Sequence, residues 1–200
     1  MSEQGKETIR PGRGDALLLV DVQNDFLPGG SLAVPGGDAV IAPLNHCIDR
    51  FTRAGLPIFA TRDWHPPRHC SFREQGGPWP HHCIAGTPGA AFAADLRLPP
   101  DTVVIDKATT TEQDAYSGFE GTDLAARLRE AGVLRLFVGG LATDYCVLNT
   151  VRDALEEGFA VMLLGDAIRA VDVQPGDGER AIAEMQSLGA RIVDSSRLSA

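Results

Sequence analysis

The sequence predicts a doubly wound α/β domain on a mostly parallel, six-stranded sheet of order 3-2-1-4-5-6, with helices on both faces. Three observations carry this expectation. Apolar runs of strand length recur along the chain and are near-continuous rather than alternating, as strands buried on both faces are. Amphipathic helical stripes lie between several of them. Gly55, Gly132, Gly158 and Gly189 each stand shortly before the next apolar run, where a helix entering a parallel strand commonly ends in the left-handed conformation.

Taken in order, residues 16–22 form the first strand, followed by a helical stripe through Val40, Ile41, Leu44, Cys47, Ile48 and Phe51. Residues 57–61 form the second strand. Residues 63–100 then hold little regular structure, yet carry both tryptophans and four of the five histidines. A loop this long in a compact domain is usually functional or disordered, and disorder does not concentrate aromatic residues. Residues 102–105 form the third strand and residues 134–138 the fourth. The helix after the fourth strand shows Val147, Val151, Ala154 and Leu155 on one stripe. Residues 160–164, a stripe through Ala181, Ile182, Met185 and Leu188, and the weaker run 191–193 complete the series. Residues 14–200 are expected to form one domain after a flexible, polar tail of residues 1–13.

The composition excludes several classes. With 44% hydrophobic and 22% charged residues in 200, the chain can bury one core and is not disordered. Its longest apolar run, Phe159 to Leu164, is far short of the ~18 residues a spanning helix needs, so no membrane association is expected. A net charge of -9 with no Lys/Arg cluster opposes binding to nucleic acid. The start of the chain lacks the apolar stretch of a secretory signal, which gives the cytoplasm as the expected compartment and reduced cysteines as the expected state of Cys47, Cys70, Cys83 and Cys146.

The chemistry-bearing residues collect at strand ends. Asp21 closes the first apolar run, where a carboxylate loses water unless something pairs with it; the bland reading is a turn aspartate. Lys107 follows the third strand, otherwise a solvated surface lysine. Cys146 lies between Gly139-Gly140 and the next helical stripe. In the first turn of a helix, orphan N–H groups and the dipole would stabilise its thiolate and present donors to an oxyanion, whereas the alternative is a core cysteine, as Cys47 reads. In the expected strand order, Asp21 and Cys146 flank the crevice where strand direction reverses, with Lys107 reaching in from the third strand. A thiol nucleophile, a carboxylate base and an ammonium between them suit acyl transfer. Asp63 and His65, two apart at the end of the second strand, can share a metal with a histidine from the far part of the loop. Carboxylate and imidazole donors suit Zn or Fe(II), with Mn compatible. Cys70 and Cys83 offer the competing arrangements of a structural zinc site or a disulfide.

Five stretches resemble the nicotinamidase/pyrazinamidase group of the isochorismatase-like cysteine hydrolases: VDVQNDFLPGGSLAV at 20–34, TRDWHPPRHCSF at 61–72, WPHHCIAGTPGA at 79–90, DKATTTEQDAYSGFEGT at 106–122 and GLATDYCVLNTVRDA at 140–154. The resemblance implies Cys146 as nucleophile, Asp21 as general acid/base and Lys107 as third member of a triad. It implies one divalent metal on Asp63, His65 and His82, with His69 at the place of a fourth ligand or a supporting contact. It further implies a cis peptide between Leu141 and Ala142, an oxyanion hole from the N–H groups of Ala142 and Cys146, and pocket walls from Phe26, Trp79 and Tyr116. The implied activity is hydrolysis of nicotinamide to nicotinate and ammonia, a step of NAD salvage, with pyrazinamide as a second substrate. A homo-oligomer is compatible with it. The rival readings are a cysteine amidohydrolase of the same superfamily acting on a carbamoyl or ureido substrate and, in a different class, a non-catalytic zinc-binding module.

Overall fold

The computed structural model describes residues 8–199. Six strands, β1 (Asp15–Val20), β2 (Ile58–Asp63), β3 (Val103–Lys107), β4 (Arg135–Leu141), β5 (Ala160–Arg169) and β6 (Arg191–Val193), form one sheet in the order β3-β2-β1-β4-β5-β6. Every pairing is parallel. The helices are α1 (Ile41–Ala54), α2 (Leu124–Glu130), α3 (Leu148–Glu156) and α4 (Asp177–Ser187). No helix among the described residues is long and apolar enough to cross a membrane.

The near-continuous apolarity of β1 has the cause expected of a central strand: all six of its residues are buried. Successive side chains point to opposite faces. Leu17 and Leu19 join Leu44, Ile48 and Phe51 of α1 on one side. On the other side Leu18 and Val20 pack in one core with Leu124 and Leu128 of α2, Val151 of α3 and Met185 of α4. Helix α1 ends as its sequence requires, with Gly55 at φ 63° and its N–H donated to the carbonyls of Phe51 and Thr52.

Two strands run beyond their apolar sequence. β5 continues from Leu164 to Arg169 although Gly165 and Asp166 interrupt the hydrophobic run, because Asp166 accepts hydrogen bonds from the N–H and hydroxyl of Ser195 while the backbone goes on pairing with β4 after a register shift. β4 likewise runs through its glycines to Leu141. The expected tail of residues 1–13 is described only in part. Residues 1–7 lie outside the described residues, but Ile9 already bridges Leu198, donating its N–H to Arg197 and accepting from Ser199.

The long segment after β2 holds only two 3₁₀ turns, Arg73–Gln75 and Pro88–Ala90, and isolated bridges. Isolated bridges pair His65 with Ile84, Phe72 with Trp79 and Gln23 with Phe92. Between them, His65 donates to the Cys83 carbonyl at 3.0 Å and accepts from Ala85 at 2.8 Å, so the histidine-bearing loop is stitched to itself.

Gly140 fixes how closely β4 can approach β1 at the crevice. It pairs with Val20, holds φ at 132°, and any Cβ placed on it would fall inside the Val20 backbone. Gly158, at φ 90°, has nothing within 4 Å of the same position. Gly158→Ala should therefore cost only the backbone conformational penalty, about 1–2 kcal/mol. Gly140→Ala should cost about 3 kcal/mol or more, because the strand must also move. Urea unfolding of the two variants measures the difference, and equal losses would show that the approach of β4 to β1 is not tight.

Candidate active site

Parallel pairing brings the charged strand ends together. Asp63 of β2 is in register with Lys107 of β3, and Val20, the residue before Asp21, with Thr61 of β2 and Gly140 of β4. Asp21 itself is fully buried at φ 49°, with its N–H donated to the Thr61 carbonyl and its Oδ1 accepting the Thr61 hydroxyl at 2.6 Å. The Lys107 ammonium lies 3.0 Å from Asp21 Oδ2, donates to Asp63 Oδ1 and to the Ala115 carbonyl (3.0 Å), and stands 3.5 Å from Cys146 Sγ.

This geometry sets the protonation states. Burial raises the Asp21 pKa above the carboxylate range, and the nearby Asp63 charge adds to this against the opposing pull of Lys107. Burial pushes the Cys146 thiol well up, and Lys107 does not fully reverse it. Burial alone would discharge Lys107, but Asp21 and Asp63 together hold it protonated. Asp63 shows the opposite balance: burial favours its neutral form, yet the Lys107 ammonium holds it well below the usual carboxylate range.

The expected helix-stabilised thiolate meets an opposing influence in the burial of the sulfur. Cys146 sits in a one-turn π-helix, Thr143–Val147, that precedes α3, and its buried position beside two carboxylates keeps the resting sulfur protonated. The adjoining carboxylate, made more basic by burial, is placed to take that proton. The peptide between Leu141 and Ala142 is cis, and the Ala142 carbonyl accepts from both Tyr145 and Val147.

Asp63, His65 and His82 form a second constellation sharing Asp63 with the first. Their donor atoms all lie within 4.8 Å of one another and all three residues are buried. His65 Nδ1 faces the Ala108 carbonyl at 3.2 Å and His82 Nδ1 faces the Pro80 carbonyl at 2.9 Å. A carbonyl can only accept, so each Nδ1 carries the proton and each Nε2 presents a lone pair. The two Nε2 atoms are 3.2 Å apart, with Asp63 Oδ2 3.6 Å and 3.9 Å from them. Two facing lone pairs beside a carboxylate, with carbonyls orienting both rings from behind, fit a divalent cation.

His69, the proposed optional ligand, is not brought into this set. Its Nδ1 engages the Ser71 hydroxyl at 2.7 Å and its Nε2 the Gln113 carbonyl at 2.9 Å, while its ring stacks on His65 with centroids 4.1 Å apart. His81 turns outward toward Glu74 at 3.4 Å. Cys70 and Cys83 are free thiols and neither joins a three-donor group among the described residues, so the cysteine-based zinc site is not assembled.

Phe26, Trp79 and Tyr116 line a narrow cleft that Asp63, His65, His82, Ala142 and Cys146 also face. The Trp79 indole donates to the Tyr116 hydroxyl at 3.0 Å. Tyr145 completes this wall, its ring 5.1 Å from Trp79 and 5.5 Å from Tyr116. Sequence reasoning missed Tyr145, although its place beside Cys146 was a usable signal. It also missed Gln23, which is fully buried: its amide donates to the carbonyls of Asp63 (2.8 Å) and Ala90 (2.9 Å), and its carbonyl accepts the Asp63 N–H at 2.8 Å. Its place two residues after Asp21, among the polar residues that follow the first apolar run, was the available signal.

Residues 15–197 match the isochorismatase domain family. The chain is 39% identical over 198 residues to the nicotinamidase of Escherichia coli, a match covering 88% of this chain and 93% of that protein. Among solved structures it resembles the pyrazinamidase of Pyrococcus horikoshii in complex with zinc, with a TM-score of 0.87 and 54% identity over 90% of this chain and 99% of that one. It also resembles PnC1 of L. infantum in complex with nicotinate, with a TM-score of 0.89 and 38% identity over 96% of this chain and 98% of that one.

The donor geometry predicts a selective loss of metal. His65→Ala and His82→Ala should each purify without a bound ion, whereas His81→Ala should keep the wild-type stoichiometry and His69→Ala should keep the ion with affinity reduced by roughly 10–100-fold. Metal analysis after equilibrium dialysis at graded zinc reads this directly, and an ion lost from His81→Ala but retained by His82→Ala would exchange the two assignments.

Proposed function

The chain belongs to the isochorismatase family, and from that premise we propose that it hydrolyses the carboxamide of nicotinamide to nicotinate and ammonia, and that of pyrazinamide by the same route. The observation that carries this reading is the pair of constellations at one aromatic cleft: Cys146 faces it with Lys107 and Asp21 buried behind the sulfur, and Asp63, His65 and His82 line its side.

Asp21 takes the thiol proton as Cys146 Sγ attacks the carboxamide carbon. The charge that develops on the carbonyl oxygen is assigned to the N–H groups of Ala142 and Cys146. Asp21 then returns its proton to the departing ammonia, leaving a nicotinoyl thioester on Cys146. A water molecule, deprotonated by Asp21, attacks this thioester, and the thiolate leaves and recovers the proton. Throughout, Lys107 remains charged and offsets the negative charge that moves between sulfur and carboxylate. Asp63, His65 and His82 would hold a divalent ion, zinc or iron(II) with manganese compatible, which when bound supplies a Lewis-acid contact for the pyridine nitrogen and draws electrons from the ring. Phe26, Trp79, Tyr116 and Tyr145 exclude water from the flat faces of the ring.

Cys146→Ala should abolish turnover while retaining fold and metal content, whereas Cys47→Ala, a buried change on α1, should leave kcat unchanged. Mass spectrometry of acid-quenched wild-type protein should find a nicotinoyl adduct on Cys146; an adduct on Cys70 or Cys83 instead would overturn the assignment.

Substrate choice tests the donor set. Benzamide has the same carboxamide and nearly the same ring outline without the nitrogen lone pair. A site built to ligate that atom should disfavour benzamide by about 10⁴-fold in kcat/KM, because the ligand left unpaired is costly. Comparable ammonia release from both amides would show that the ring nitrogen is not recognised.

A further inference from the structure

The group formed by Asp21, Asp63 and Cys146 has the donors of a metal site as well as those of a catalytic unit. One oxygen of each carboxylate and the sulfur lie within 4.8 Å of one another, and all three residues are buried. The centre of this group is filled by the ammonium of Lys107, which contacts Asp21 Oδ2, Asp63 Oδ1, the Ala115 carbonyl and Cys146 Sγ. An ammonium has three protons and here meets four acceptors, the sulfur at 3.5 Å being the most distant of them. Two carboxylates and a thiol around one point, with thiolate the softest donor available to a protein, form a good site for Zn²⁺ or a similar soft divalent ion.

We propose that Lys107 occupies a latent second metal site and thereby keeps a divalent ion off the nucleophile. The inference rests on the reading of Asp63, His65 and His82 as the resident metal centre. Asp63 makes the hazard specific, since its Oδ2 faces the two histidines while its Oδ1 faces Lys107. A carboxylate so placed can bridge two ions about 3.5–4 Å apart, a spacing common in two-metal sites. An ion in the latent site would ligate Cys146 as thiolate, releasing one proton to solvent and blocking attack on any substrate. The ammonium prevents this by supplying a positive charge to the same carboxylates while making only a long hydrogen-bond contact, and no coordinate bond, to the sulfur.

Cobalt(II) serves as the probe, because sulfur ligation gives an intense thiolate-to-metal charge-transfer absorption that oxygen and nitrogen ligands do not. The wild-type protein should bind one equivalent without that absorption. Lys107→Met, which removes the charge and keeps most of the stem, should bind two equivalents and show the band, and Lys107→Met with Cys146→Ser should lose both the second ion and the band. Lys107→Arg, still cationic, should remain at one equivalent. A Lys107→Met variant that takes up one ion with no band would overturn the proposal. So would a thiolate band in the singly loaded wild-type protein, a measurement that stands even where Lys107→Met does not fold. Failure of the resident metal centre would appear differently, as no cobalt bound by the wild type, while the band in Lys107→Met still reports the latent site.

Discussion

A lysine ammonium with no access to water must be neutralised by groups within contact distance, since its loss of hydration amounts to several kcal/mol. Lys107 is such a group, fully buried and flanked by Asp21 and Asp63. The other parts of the site depend on this pairing. It holds the carboxylates of neighbouring strands together at the end of the sheet, and it keeps Asp63 ionised so that its other oxygen can face His65 and His82. It leaves Asp21 the more basic of the two: burial outweighs Lys107 at Asp21, whereas Lys107 outweighs burial at Asp63. One cation thus separates two carboxylates of the same type into the proposed base and the proposed metal ligand.

The sheet is what makes this arrangement affordable. Residues at the ends of β1, β2 and β3 reach one another through parallel register, so little chain entropy is left to lose in bringing them together once the strands have paired. Gln23 extends the same economy to the loop: its amide satisfies both backbone groups of Asp63 as a further strand would, and also ties down Ala90. Asp63 is therefore held at its side chain by Lys107 and at its backbone by Gln23, the rigidity that a metal ligand at the start of an irregular loop requires.

Much of this was legible in the sequence, and the reasons differ from part to part. Strand positions were readable because both faces of the sheet are covered, which forces nearly unbroken apolar runs in β1 and in the first half of β5. The second half of β5 was not, because Gly165 and Asp166 look like a strand end until Ser195 is found hydrogen-bonded to that aspartate. Asp21, Lys107 and Cys146 could be placed at one crevice because strand order alone decides which ends meet. The state of the Cys146 sulfur could not, since it follows from burial against two carboxylates, and the local pattern pointed to a helix start and a thiolate. His69 was ambiguous for a similar reason. Its spacing suits a ligand, and only the positions of Ser71 and Gln113 show that both of its ring nitrogens are already engaged.

The division of labour between sheet and loops has a consequence for specificity. The groups to which proton transfer and the covalent bond are assigned in the proposed reaction stand at strand ends or in the π-turn before α3. The walls of the cleft instead come from outside the sheet: Phe26 from the turn after β1, Trp79 and His82 from the long segment after β2, Tyr116 from the segment after β3, and Tyr145 from the π-turn itself. A change in these walls alters which amide fits without disturbing the register that brings Asp21, Asp63 and Lys107 together. Asp63 is the exception, because it belongs to both sets: it is the partner of Lys107 and the carboxylate of the histidine cluster. Ring recognition and nucleophile chemistry are therefore mechanically separate everywhere except at one carboxylate, and it is there that a change in the bound ion would reach the base and the sulfur through Lys107.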